Sequence, residues 1–251
     1  ELQTLKAAYN LITDLTPLQG LYNLKELELA GNPIEDYSPI ADLYPQLEYR
    51  DFEMDGAAQL VSDIDPQAVV VFADPVMESR VREAIGKGAD EDIMAWEAGY
   101  KDSLYLGLEW QEEIPQEERI HDISGIEYFI NLKNLSLNFH AVTDLTPLLH
   151  CTQLEFLDLG ANGISDISVL QNFPNLYRLT LFDNDIEDIS VLASLTGLTQ
   201  LNLSNNNISD ISALAGLENL QELYLWGNPI ADYSPLAEIY PNLTEKDFDM
   251  P

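Results

Sequence analysis

The sequence predicts an α/β solenoid, a right-handed β-α superhelix with short parallel strands on a concave face and short helical or 3-10 turns on the convex side. Three observations predict it. Leucines recur every 22 residues, at Leu132, Leu154, Leu176, Leu198 and Leu220, each followed by a second leucine three positions on and a third two beyond that. An asparagine slot follows at Asn162, Asn184, Asn206 and Asn228, with His140 in the first place. Next comes a β-branched slot from Val142 to Ile230, an aspartate slot at Asp144, Asp166, Asp188, Asp210 and Asp232, and a closing leucine from Leu148 to Leu236. A fixed register of this kind identifies a repeat architecture before any single element is assigned.

Each slot has a physical role. The Leu-x-Leu pair alternates at period two, so one face of a short strand turns inward, and successive strands stack about 4.8 Å apart. Asparagine at the turn after the strand can satisfy backbone groups of its own coil and the next through both ends of its amide. Aspartate ahead of Ile/Leu-Ser/Thr is expected to act as an N-cap for a helical turn on the return side. Pro147 and Pro235 are expected at the first helical position. One coil exposes apolar edges that only its neighbours can cover, so stacking is obligatory.

The register also appears near the start, as Leu2, Leu5, Asn10, Ile12, Asp14 and Leu18, then Leu24, Leu27, Leu29, Asn32, Ile34 and Asp36. Residues 31–54 recur as 227–250 at an offset of 196, and roughly half of positions 1 to 55 equal their partners. The chain therefore reads as the C-terminal part of a first array with its terminal cap (1–55), a linker (56–68), a helical N-terminal cap (69–103) and a second array with its own terminal cap (104–251). Val69-Val70-Val71-Phe72 is expected as a short buried strand or anchor. Asp74-Pro75 opens a helix with Met77, Val81, Ala84 and Ile85 on one face and Gly86 as its stop. A looser helix from about Asp90 carries Ile93, Trp96 and Tyr100, more as core of the cap than as a cofactor box. Leu104-Tyr105-Leu106 is the first strand of the second array, and an acidic insertion from Glu109 to Arg119 precedes the return of the frame at Ile120-His121-Asp122-Ile123-Ser124. Residue 1 enters in mid-coil with no cap ahead of it, which implies repeats upstream.

Composition narrows the function classes. The 251 residues are 46% hydrophobic, and 44 Asp+Glu against 11 Lys+Arg give a formal charge of −33. That much apolar material folds. A field this negative repels phosphate backbones and anionic bilayers, and no dense basic patch is present to overcome it, so nucleic acid and membrane surfaces are not expected as partners. No run approaches the roughly 18 apolar residues of a spanning helix, and the start has no charged and apolar regions of a leader. A lone cysteine, Cys151, leaves no internal disulfide and no multi-cysteine metal knot.

The unit Leu-x-x-Leu-x-Leu-x-x-Asn-x-Ile-x-Asp-Ile-Ser-x-Leu resembles the 22-residue leucine-rich repeat of bacterial internalins and related surface proteins. Tyr44-Pro45-Gln46-Leu47 and Tyr240-Pro241-Asn242-Leu243 resemble the C-terminal cap of leucine-rich repeat proteins, and the helices after residue 74 resemble the small helical cap that precedes internalin-type repeats. The resemblance implies a leucine-rich repeat solenoid at the bacterial cell surface or secreted, with an adhesin-like role in binding another protein or a surface glycan. A second class stays open, an intracellular regulatory scaffold of the phosphatase-regulator type.

Residues alternating with the buried leucines face the concave side. Among them Tyr105, Phe156, Arg178, Phe182, Tyr224 and Trp226 are the candidate ligand-binding set, because aromatic residues and arginine dominate interface hot spots. Six or seven strands span about 30 Å, enough for roughly 800 Å² per partner. Against this, Tyr224 and Trp226 could simply pack on the terminal cap, and Arg178 could orient a ligand carboxylate or only neutralise Asp158. Metal is not expected, since capping accounts for the aspartates, although surface acidity leaves weak cation binding open alongside a solubility role or adaptation to salty surroundings. Catalysis has no support. His121, His140 and His150 all fall in or just before the first coil, with His140 in the asparagine slot. Cys151 takes the buried slot of Phe173, Leu195, Leu217 and Ile239, and no phosphate loop, nucleophile elbow or HExxH helix is present. No cofactor is expected.

Overall fold

The structure is a computed structural model in which residues 2–34, 37–40, 43, 47–52, 68–111 and 113–249 are described. Outside them lie the expected linker apart from Ala68, Asp36 of the aspartate slot, the cap residues Tyr44, Pro45 and Gln46, and Glu53, Met54 and Met250. In chain order the elements are β1 (Thr4–Lys6), β2 (Glu26–Glu28), β3 (Tyr49–Arg50), α1 (Pro75–Ile85), α2 (Ala95–Gly99), β4 (Ser103–Tyr105), β5 (Asn134–Ser136), β6 (Phe156–Asp158), β7 (Arg178–Thr180), β8 (Gln200–Asn202), β9 (Glu222–Tyr224) and β10 (Glu245–Lys246), with 3-10 turns between strands.

The chain forms two compact units. The smaller comprises the described residues of Glu1–Val70 with Asp92–Tyr100 and Tyr128–Ile130, and the larger comprises Val71–Glu91, Lys101–Glu127 and the described residues of Asn131–Pro251.

In the smaller unit β1, β2 and β3 form a parallel sheet, with Leu5 opposite Leu27. Leu15, Leu24, Leu27, Leu29, Ile40, Leu43, Leu47 and Phe52 fill its interior. The sheet ends on a small device: Asp51 accepts the N–H groups of Leu29 and Ala30 at 2.6 and 3.1 Å, and Phe52 stacks on Tyr37 at 5.3 Å. Burial raises the Asp51 carboxyl, opposed by those N–H bonds. Val69-Val70-Val71-Phe72 is not a buried strand. It makes one antiparallel bridge, Val69 to Met94, and Val69 and Val71 are exposed while Val70 and Phe72 are buried. That bridge holds Ile93 and Met94 extended, through Val70 N–H to Ile93 O and Ala95 N–H to Ala68 O, so the helix starts at Ala95 rather than near Asp90. Trp96 packs against Ala8, Tyr9, Ala30 and Ile130. Tyr100 meets Tyr9 edge-on at 5.2 Å and donates its hydroxyl to Ala8 O at 2.9 Å, so both helix aromatics are spent on packing.

In the larger unit seven parallel strands follow one another in order from β4 to β10. The inward residues Leu104, Leu135, Leu157, Leu179, Leu201 and Leu223 are direct neighbours along the sheet and at most 1% exposed. A single continuous interior results, as the 22-residue register requires. Asp74 opens α1 by accepting the N–H groups of Val76 and Met77, and its second oxygen accepts those of His121 and Asp122, which ties the helix to the first coil. Burial pushes the Asp74 carboxyl up, but these bonds outweigh it and hold it below its ordinary range. Met77 and Val81 are fully buried, Gly86 closes the helix at φ 75°, and Ala84 faces solvent because only the first two turns are packed.

Two slots work differently from the sequence expectation. The asparagines bond back to the preceding coil, not on to the next. Asn184 Oδ1 accepts Ile164 N–H at 3.0 Å, and its Nδ2 donates to Leu159 and Leu181 carbonyls at 3.0 and 3.1 Å. Asn162, Asn206 and Asn228 repeat the pattern, as does Asn32 in the smaller unit. The aspartates sit one residue before the N-cap. Asp14, Asp144, Asp166, Asp188, Asp210 and Asp232 each accept the N–H two residues on at 2.8–2.9 Å. In most coils the cap position itself holds a buried Leu or Ile that must point into the core, so the carboxylate reaches past it as an Asx turn. Pro147 and Pro235 accordingly fall at the second residue of their turns.

Candidate recognition surface

The concave face of the larger unit is built by register alone. Because each strand pairs with the next at the same slot, outward residues form columns with the strand spacing of about 4.8 Å. One column runs Ser103, Asn134, Phe156, Arg178, Gln200, Glu222 and Glu245, and a second runs Tyr105, Ser136, Asp158, Thr180, Asn202 and Tyr224. Just past the strand ends, Asn138, Gly160, Phe182, Ser204 and Trp226 follow one another at 22-residue intervals.

The six sequence-predicted residues divide into three groups. At the middle of the face the Arg178 guanidinium lies over the Phe156 ring, 5.2 Å from its centroid. This is a cation–π stack, and the same charge acts on Asp158 as considered from the sequence. Burial raises the Asp158 carboxyl, opposed by Gly160 N–H at 3.1 Å and by the Arg178 charge. Phe182, half-buried, lies over Gly160, where a Cβ would stand 2.1 Å from its ring. Its other neighbour is Phe139, edge-on at 5.8 Å. Phe139 is absent from the predicted set because it lies off the alternating pattern, in the left-handed slot (φ 64°) shared with Ala161, Asp183 and Asn205. An aromatic residue in a slot that the later coils of the larger unit fill with Ala, Asp, Asn and Gly was the available signal. Gly160→Ala should therefore keep the fold, cost about 1 kcal/mol of stability by overpacking, and move the ring-current-shifted NMR signals of Phe139 and Phe182.

At the two ends stand the most exposed rings. Tyr105, 66% exposed, lies on β4, and Trp226, 65% exposed, follows β9. Tyr105 and Tyr224 share a column and are five strand steps apart, about 24 Å. Tyr224 donates its hydroxyl to Glu245 Oε2 at 2.8 Å, and that bond, with burial and the charges of Glu245, Glu222 and Asp247, raises the phenol to about 12. Asp247 accepts the N–H groups of Leu225 and Trp226 at 2.7 and 2.9 Å, and Phe248 stacks on Tyr233 at 5.2 Å. This is the device that Asp51, Tyr37 and Phe52 form in the smaller unit, at the offset of 196 read from the sequence. There the places of Tyr224 and Trp226 are held by Glu28 and Ala30, so the cap needs neither aromatic ring. Tyr224, Thr244, Glu245, Lys246, Asp247, Phe248 and Asp249 line an open cleft of about 550 Å³.

The remaining chemical groups serve the fold. His140 takes over the asparagine's bonds: Nδ1 accepts Ile120 N–H at 3.1 Å, and Nε2 meets Leu106 O at 2.9 Å. Burial above all, with the charges of Arg80 and Arg119, pushes it down to about 4, against the Leu106 bond. Cys151 is fully buried, and burial raises its thiol to about 12, which removes the thiolate a nucleophile needs. Among the described residues, no His, Cys, Asp and Glu side chains are grouped so as to hold a metal ion, and no helix is long and apolar enough to cross a membrane.

The family profile described as "Leucine Rich repeats (2 copies)" matches residues 1–42, 130–172, 152–194, 174–216 and 196–238, more than half of the chain. None of the curated proteins compared with the chain matches it. Among solved structures, internalin InlF of Listeria monocytogenes is similar at 29% identity and a TM-score of 0.54, over 96% of this chain and 72% of that one. Internalin C2 of the same organism is 29% identical with a TM-score of 0.39, over 71% and 94% of the respective chains. A leucine-rich repeat protein of Leptospira interrogans shares the fold at 20% identity and a TM-score of 0.51, over 98% and 72%. The 22-residue register, the asparagine ladder and the family-profile match show that the chain belongs to the leucine-rich repeat family, and within it the chain is similar to the bacterial internalin InlF.

Proposed function

We propose that this chain is a non-enzymatic recognition protein of the bacterial surface or its secreted surroundings, and that the concave face of the larger unit binds another protein. The observation that carries this reading is the set of large side chains on that face which the repeat does not require. Tyr105 and Trp226 stand exposed at its two ends, with the Arg178–Phe156 stack and Phe182 between them. Other coils of the same sheet place Asn, Ser, Thr, Gln, Asp or Gly in these slots, so the repeat itself does not require the rings. The similarity to Listeria internalins supports the surface or secreted setting.

The test displays the chain against purified bacterial and host surface proteins, with glycan arrays alongside. Trp226→Ala should change folding stability by about 0.5 kcal/mol or less, as exposed substitutions do, and the pair Phe182→Ala with Trp226→Ala should weaken a captured partner by roughly tenfold or more. Capture that survives both substitutions undiminished would remove the concave face from the reading.

A further inference from the structure

The β9–β10 end of the concave face carries more negative charge than its architecture needs. Glu222 and Glu245 are direct register partners, so two like charges stand side by side on one sheet face, an arrangement that is unfavourable by itself. Asp247 and Asp249 line one cleft with Glu245. Among the described residues no lysine or arginine forms an ion pair with any of the four. Lys246, which also lines the cleft, holds its Nζ 4.7 Å from the centroid of the Tyr240 ring and donates to Leu243 O. Among the described residues the Glu222 carboxylate accepts a hydrogen bond from the neutral Gln200 amide at 2.7 Å, and the Glu245 carboxylate one from the Tyr224 hydroxyl.

The smaller unit provides the control, because the same terminal device closes its sheet. There Glu26, the counterpart of Glu222, faces Tyr49 rather than a second carboxylate. Its Glu28 is neutralised by Lys6 at 2.6 Å, whereas the counterpart of Lys6 in the larger unit is Asn202. Relative to the smaller unit, the larger unit has Asn202 in place of the lysine, carries its second glutamate directly beside the first (Glu245 in the place of Tyr49) rather than in the neighbouring column (Tyr224 in the place of Glu28), and has Trp226 in the place of Ala30. A carboxylate pair near an exposed indole and a half-buried phenol is the environment that favours an organic cation, through ion pairing and cation–π attraction together.

We propose that this end of the face seats a basic segment of the partner protein, with one lysine or arginine side chain lying on Trp226 within reach of Glu222, Glu245 and Asp247. The proposal rests on the concave-face reading above and names the chemistry of its partner. A formal charge of −33 speaks against a second copy of this chain as occupant and favours a cationic one, which the same field would steer toward the face.

The experiment uses the whole chain and three labelled peptides of equal length, rich in lysine, serine or glutamate, with binding followed by fluorescence anisotropy at low and physiological salt. The lysine peptide should bind at least tenfold more tightly than the serine peptide, and the glutamate peptide should show no binding. Trp226→Ala, and separately the pair Glu222→Gln with Glu245→Gln, should each weaken the lysine peptide by about tenfold. The pair Glu187→Gln with Glu238→Gln, which removes equal charge from exposed positions elsewhere, should leave it within twofold. Equal loss in both charge pairs would mean nonspecific attraction to an acidic chain and would overturn the proposal, as would a serine peptide that binds as tightly as the lysine one. Neither result touches capture that depends on Phe182, so the two readings fail separately.

Discussion

Asn184→Ala should destabilise the larger unit by about 3 kcal/mol or more, the largest single effect expected from a polar substitution in this chain. The amide is buried, 7% exposed, and it serves two coils at once. Its removal leaves the buried Ile164 N–H without an acceptor and withdraws a donor from the Leu159, Leu181 and Phe182 carbonyls. An orphaned buried group costs about 1–3 kcal/mol, and alanine adds a small cavity. Asn184→Asp should be at least as damaging, because a carboxylate would face the carbonyls that now accept hydrogen bonds. Chemical denaturation of the whole chain, followed by far-ultraviolet circular dichroism, measures both. A loss below about 1 kcal/mol for the alanine variant would mean that the ladder decorates the stack without holding it.

The second large effect depends on pH. His140 can act as an asparagine only while neutral, since Nδ1 must accept the Ile120 N–H. Its ordinary pKa is about 6.5, and in the fold it is held down to about 4, first by burial. Between those values the unfolded chain binds a proton that the folded chain refuses. Stability from this group is therefore fully present above about pH 6.5 and is lost as pH falls toward 4, by on the order of 3 kcal/mol. His140→Asn restores the residue of the later coils, offers the same acceptor and donor, and cannot titrate. It should fold, and it should remove this contribution from the acid side of the stability profile while leaving the carboxylate contributions in place. Unfolding free energies at several pH values from 7.5 to 4 read the difference between the two proteins. Parallel profiles would show that His140 is not the neutral ladder residue its geometry indicates.

Both effects were half legible in the sequence. The slot shared by His140, Asn162, Asn184 and Asn206 identified these side chains as turn residues with a bonding duty, because period and spacing decide which residues must be satisfied internally. They did not say with whom. The bonds run back over 20 to 25 residues to the preceding coil, and that direction follows from how one coil is offset on the next. The aspartates show the same limit: their type announced a turn, but the buried Leu or Ile that occupies the cap position displaced them by one residue.

The candidate surface divides in the same way. Alternation alone placed Phe156, Arg178, Tyr224 and Trp226 outside the interior, and the 196-residue offset marked Asp247 as the twin of Asp51 before any coordinates. Phe139 was missed because it sits in a left-handed turn where the period of two has already ended. The charge of Arg178 on Asp158 was legible, but its stack on Phe156 was not, since one-dimensional order cannot rank an adjacent ring against an adjacent carboxylate. By itself the sequence determined the solenoid, its columns and the side on which each residue stands, because a 22-residue repeat with buried leucines admits only one such stacking. The tertiary structure alone decided which side chains in neighbouring columns touch, and so which carboxylates are left without a cation, because those choices turn on ångström-scale approach between coils rather than on periodicity.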